Sequence, residues 1–221
     1  MCTIILVTFI LIVILCGLIY WLLTPPKLTI ELNGFEYDVD PNDPERSAKL
    51  MAKINETSIK VIALLRRTKE RYEAKKEHME PSTYVLVNDM YETIRKNYNP
   101  DGLKESILHP LDKYTTSYTI DKGEELCMCL KNKHGYHKWA VILIVLLHEL
   151  THMCCNTWSL NEHNEEFWSK YDIMLTLVSR EGWIKKSDIP KGPIEYCDRV
   201  TITPHEFNHF TVTKPSQEVV A

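Results

Sequence analysis

His148-Glu149-Leu150-Thr151-His152, preceded by the apolar run Trp139-Ala140-Val141-Ile142-Leu143-Ile144-Val145-Leu146-Leu147, decides how the rest of this 221-residue chain reads. Two histidines four positions apart lie one turn apart on the same face of a helix, so both imidazoles can reach one metal ion. The glutamate between them sits where it can take a proton from an attacking water. In a chain with nine histidines, chance supplies an HExxH roughly 3% of the time, so the context matters. A run that is apolar all round predicts a helix buried on every side, and residues 138–156 are read as that helix. The alternative is a core helix that ends in two surface histidines.

A catalytic zinc site needs a third protein ligand and one open position. His163 is the candidate. Ser159 and Glu162 have capping-box spacing, which predicts a helix over 160–180 with His163 on its first turns. His163, Phe167 and Tyr171 then share one face by i, i+4 spacing. Glu162, Glu165 and Glu166 are rival ligands, Glu166 the best placed of them, one turn beyond His163. His78, His109, His134, His137, His205 and His209 are assigned to surfaces and loops. Tyr114, Tyr118 and His137 are candidates for stabilising an oxyanion.

Around this centre the periodicity changes. Between residues 114 and 130 apolar positions alternate on both sides of Asp121-Lys122-Gly123-Glu124, which predicts a β-hairpin leading into the metal-binding helix. Upstream, residues 28–39 alternate loosely as a short strand. Asp43-Pro44 reads as a helix start, and Leu50, Ile54, Ile62 and Leu65 mark a long amphipathic helix over 44–76. Pro81 opens another helix that ends near Asn97-Tyr98-Asn99-Pro100. Beyond Pro190 the chain reads as irregular, with one strand at 199–203. The sequon Asn55-Glu56-Thr57 falls inside a predicted helix, where a glycan has no place.

Residues 3–23 are almost unbroken Ile, Leu, Val and Phe without a charge. That length spans a bilayer core of about 30 Å. Tyr20 and Trp21 suit the interface, and Pro25-Pro26 end the helix. A cleaved signal peptide would carry a basic start and a small-x-small site, and neither is evident. The expectation is an uncleaved single-pass membrane anchor. The net charge of −4 shows no clear nucleic-acid-binding signature. Seven cysteines, at 2, 16, 127, 129, 154, 155 and 197, form an odd set without a spaced framework, which reads as reduced thiols. Cys127 and Cys129 share a strand face; Cys154 and Cys155 read as packing residues, with a redox switch or inhibitory ligand as the alternative.

His148-Glu149-Leu150-Thr151-His152 with His163-Asn164-Glu165-Glu166-Phe167-Trp168 resembles the WLM-domain metalloproteases, relatives of the SprT-type peptidases. The likeness extends to Thr116-Ser117-Tyr118-Thr119-Ile120-Asp121-Lys122-Gly123-Glu124 and to Tyr196-Cys197, covering residues 97–205. The resemblance implies an α+β, zincin-like metalloprotease domain with a small β-hairpin packed on the active-site helix. It implies Zn2+ held by His148, His152 and His163, Glu149 as general base, and a protein substrate. The interval from His152 to His163 is longer than the family's compact form. An anchor also stands in place of the tails that direct some members to DNA-crosslinked proteins, so the protease chemistry carries over and the DNA-repair role does not. Membrane-anchored chains of this kind resemble those of large DNA viruses, which places the expected membrane in a virion or an infected host cell. The expected organisation is an anchor over 1–26, a strand and long helices over 27–96, the protease core over 97–205 and a tail over 206–221. The competing classes are a structural or inactive zinc-binding membrane protein and a non-proteolytic zinc hydrolase; Glu149 discriminates, since a structural site does not need it.

Overall fold

The computed structural model describes residues 2–23, 28–75, 79–106, 116–155, 163–188, 192–198, 200–205 and 209–213. Helix α1 (Cys2–Leu23) is followed by strands β1 (Leu28–Leu32) and β2 (Phe35–Val39), then helices α2 (Pro44–Glu73) and α3 (Pro81–Asn97). Strands β3 (Leu103–Glu105), β4 (Tyr118–Ile120) and β5 (Glu125–Met128) and a two-stranded hairpin, β6 (Lys131–Asn132) and β7 (Gly135–Tyr136), lead to α4 (Trp139–Cys154). Helix α5 (Glu165–Arg180) and strands β8 (Ile194–Tyr196), β9 (Val200–His205) and β10 (His209–Thr213) complete the chain. The architecture is mixed α+β.

The main sheet runs β1-β2-β3-β5-β4, with β2–β3 and β3–β5 parallel and the outer pairs antiparallel. Residues 28–39, expected as one strand, form two, because Asn33 and Gly34 both take positive φ (57° and 81°) and reverse the chain. Asn-Gly is the preferred pair for such a two-residue turn. The predicted hairpin forms with Tyr118 opposite Cys127; Tyr114, included in the expectation, lies outside the described residues. Its turn presses on the end of α3: a side chain at Gly123 (φ 121°) would come within 2.5 Å of the Asn97 carbonyl oxygen. Only glycine permits both that backbone and that approach.

Helix α4 occupies the centre. Thirteen of its residues are buried, from Val141 through Cys154 with only His152 spared, as an all-round apolar helix requires. Its last carbonyls would be orphaned in the interior. Asn97 Nδ2 donates to the Met153 oxygen (3.0 Å) and Lys170 Nζ to the Cys154 oxygen (2.7 Å). A cation at this end also complements the helix dipole. Lys170, fully buried, gives its other protons to Asp89 and Glu166, each at 2.7 Å, and so joins α3, α4 and α5. Asn55 is likewise internal, donating to the Tyr37 hydroxyl (3.0 Å) and accepting from that of Tyr98 (2.8 Å).

Three further sequence expectations are corrected. Helix α5 begins at Glu165, where Asn164 caps it by accepting from Phe167 N at 3.0 Å; Ser159 and Glu162 lie outside the described residues. The C-terminal stretch, read as irregular with one strand, folds as the antiparallel sheet β10-β9-β8. Cys129 and Cys197 form a disulfide across 68 residues, whereas Cys16, Cys127, Cys154 and Cys155 are free. At the other end of the chain, α1 carries no charged residue over its 22 residues. Its side chains are described for 6–21, and among the described residues no helix is long and apolar enough to cross a membrane.

Candidate metal centre

Helix α4 presents His148 and His152 from successive turns, and His163 enters from the chain just ahead of α5. All three offer Nε2 to one point. His148 Nε2 lies 3.2 Å from His152 Nε2 and 3.0 Å from His163 Nε2. Three nitrogens bound to one tetrahedral zinc ion stand about 3.3 Å apart, so the spacing fits that ion. Two neutral imidazole nitrogens facing each other can share one proton at most, and here a single nitrogen faces two others. A shared cation resolves that crowding. Burial holds His148 well below the usual imidazole range and His152 at about 4, and it lowers His163 as well. Neutral rings keep their lone pairs free for a metal.

Phe167 is the platform under all three rings. Its centroid lies 4.9 Å from that of His148, 4.6 Å from His152 and 4.5 Å from His163. Tyr171, one turn on, packs behind Phe167 and His148. The face expected from i, i+4 spacing is therefore present although His163 precedes the helix. On its far side His148 Nδ1 is buried without a partner among the described residues, so that side of the ring is held by aromatic packing.

Glu149 is buried beside the histidines, and the Thr119 hydroxyl of β4 donates to its Oε2 at 3.3 Å. Burial raises Glu149 to about 8, against the lowering effect of that hydroxyl. A cation among the imidazoles would draw it back toward the carboxylate. Glu166, the rival ligand, is instead ion-paired with Lys170 at 2.7 Å. Of the oxyanion candidates, the two that are described have partners of their own. Tyr118 bonds to the Cys127 side chain, on the opposite face of β4 from Thr119; His137 stacks on Tyr196 at 4.7 Å; Tyr114 lies outside the described residues. Cys154 and Cys155 are buried, and burial pushes both thiols up, Cys155 to about 11, which suits packing rather than reactivity.

A second group of donors, Cys129, His137 and Cys197, escaped sequence reading because Cys197 lies 68 positions beyond Cys129. The one local signal was the Tyr196-Cys197 pair.

No family model matches the chain. It is 32% identical over 93 residues to an uncharacterised protein of Acanthamoeba polyphaga mimivirus, a match covering 41% of this chain and 45% of the relative. The chain thus spans less than half the length of that curated relative. Among solved structures it is similar to Wss1 from Saccharomyces cerevisiae, at 18% identity over 45% of this chain and 77% of the other, with a TM-score of 0.31.

Proposed function

We propose that this chain is a membrane-anchored zinc metalloprotease in which His148, His152 and His163 hold the metal and Glu149 is the general base. The convergence of three neutral imidazole nitrogens beside a buried carboxylate carries the reading. A purely structural centre would have no use for Glu149. Bound zinc supplies the positive charge that acidifies a water and polarises a peptide carbonyl. Glu149 takes the proton of the attacking water and returns it to the leaving amine. The Thr119 hydroxyl donates to one oxygen of that carboxylate. Strand β4 ends the main sheet, and its outer edge has no partner strand among the described residues. That edge offers main-chain donors and acceptors to an extended protein substrate, which gives affinity with little sequence preference.

Helix α1 is the anchor in this reading. Its large apolar side chains, Phe9 and Trp21 among them, are exposed instead of packed on the domain, and a bilayer would cover them. The mimivirus relative is consistent with a viral setting.

Full chain purified in detergent is expected to hold about one zinc at this centre and to cleave casein or histones. Glu149→Gln keeps the shape and removes the base, so zinc should stay while cleavage falls by about two orders of magnitude or more. Undiminished turnover by that variant would overturn the assignment. Retention of the full chain in membranes through carbonate extraction tests the anchor; release into the supernatant would remove it.

A further inference from the structure

Away from the three histidines the fold gathers a softer set of donors. Cys129 follows β5, His137 lies between β7 and α4, and Cys197 sits in the turn between β8 and β9. Their ligand atoms all lie within 4.8 Å of one another. In this structure the two sulfurs are joined, yet much else holds the three residues together. The Cys129 amide donates to Ser117 Oγ (3.0 Å), and the Tyr196 hydroxyl donates to the Cys129 carbonyl (2.8 Å) while lying 2.7 Å from Ser117 Oγ. The turn carrying Cys197 is pinned separately: Lys133 N donates to Asp198 Oδ2 at 2.8 Å and Asn132 Nδ2 to the Glu195 carbonyl at 3.0 Å. His137 stacks on Tyr196, and its Nε2 accepts from Cys197 N at 3.4 Å. Breaking the sulfur–sulfur bond therefore leaves two thiols and an imidazole still facing one another.

We propose that Cys129, His137 and Cys197 form a redox-gated second metal site, which takes zinc when the disulfide is reduced. Two equivalents of a small-molecule thiol break the Sγ–Sγ bond, leaving two electrons and two protons on the protein sulfurs and forming the reductant's own disulfide. Metal binding then releases those two protons to solvent as the sulfurs become thiolates. Two thiolates and one imidazole are a borderline-soft set that suits zinc. Zn–S of about 2.3 Å and Zn–N of about 2.0 Å put such donors roughly 3.5–3.8 Å apart. The Cα atoms of the two cysteines stand 6.2 Å apart, so side-chain rotation supplies the difference without moving the strands. A cation is also favoured electrostatically. Asp198 lies near enough for its charge to act on His137, and its Oδ1 is buried without a partner among the described residues. His137 and Asp198 are only partly buried, so solvent can fill the fourth position. The disulfide and the cation exclude each other.

The test compares full chain in detergent, oxidised and anaerobically reduced with a phosphine, each stripped of metal and reloaded with zinc or cobalt. Reduced protein should hold about one more equivalent of zinc than oxidised protein. With cobalt it should show near-ultraviolet sulfur-to-metal charge-transfer absorption, which a three-histidine centre lacks. The added equivalent and the absorption should survive His152→Ala and vanish in Cys197→Ser. His137→Ala should weaken the added site at least tenfold in affinity. Failure of the three-histidine centre would appear separately, as loss of the equivalent that oxidised protein holds. Two freely titrating thiols in reduced protein, with no added zinc and no charge-transfer band, would overturn the proposal; the comparison of oxidised with reduced unmodified chain needs no variant to fold.

Discussion

The three-histidine centre and the Cys129–His137–Cys197 group each offer three donors, yet they are built in opposite ways. The first takes two ligands from one helix and the third from the chain entering the next, all within 16 residues. The second draws on three segments, its two cysteines 68 positions apart, and depends on β8 docking against β6. Local assembly gives a site that forms with its helix and is visible as a motif. Distant assembly gives a site that exists only once the sheets have met. The donors differ too: imidazoles hold a metal without redox chemistry, whereas thiols can close on each other.

The largest expected effect lies on the local side. His148→Ala or His152→Ala in the full chain should abolish both stable zinc at this centre and peptide cleavage, while leaving the thiol group untouched; metal analysis of oxidised protein reads this directly. His163→Ala should come close to the same loss, and Glu166→Ala should not, because Glu166 serves Lys170. Zinc loss on removing Glu166 but not His163 would exchange their roles. Phe167→Ala comes next. It removes the platform shared by three rings and opens a cavity, so stability should fall by about 3–5 kcal/mol in denaturant titration, with weakened zinc affinity as a second readout.

On the distant side, replacing both Cys129 and Cys197 by alanine should lower the stability of oxidised protein by about 2–4 kcal/mol, through the freed unfolded chain. The main zinc should stay. If that variant lost the histidine-bound metal, the two regions would be one cooperative unit and the comparison would break. The smallest effect belongs to Thr119→Val, which removes one long hydrogen bond to Glu149. Cleavage should fall several-fold, in keeping with a loss of about 1 kcal/mol, at unchanged zinc content. A loss as deep as that of Glu149→Gln would make Thr119 part of the reacting machinery.

This contrast also explains what could be read from sequence. Helices α2, α3 and α4 and the β4–β5 hairpin announce themselves because periodicity and turn residues are local signals. The parallel pairings β2–β3 and β3–β5 have no such signal: Asp38 meets Lys104 only after two helices intervene. Residues 28–39 were legible as two strands through Asn33-Gly34, a turn pair that alternation alone conceals. The start of α5 moved because Asn164, five residues beyond Ser159, makes the cap that the structure describes. His163 keeps its ring against Phe167, at 4.5 Å, from outside the helix. The Cys129–Cys197 bond was invisible, since spacing does not reveal a pairing across 68 residues.

Asn55 has a consequence for how the chain's orientation could be mapped. Its amide is consumed between two tyrosine hydroxyls in the interior, so a folded domain has no room for an oligosaccharide there. A chain translocated into a glycosylating compartment would meet the transferase before folding, and a sugar attached at that moment would wedge Tyr37 from Tyr98. Absence of a glycan at Asn55 would therefore carry no information about sidedness, because only unglycosylated molecules would survive to be scored. A topology tag belongs on the exposed turn at Asn33 and Gly34, whose surroundings are open, so that occupancy alone reports the side.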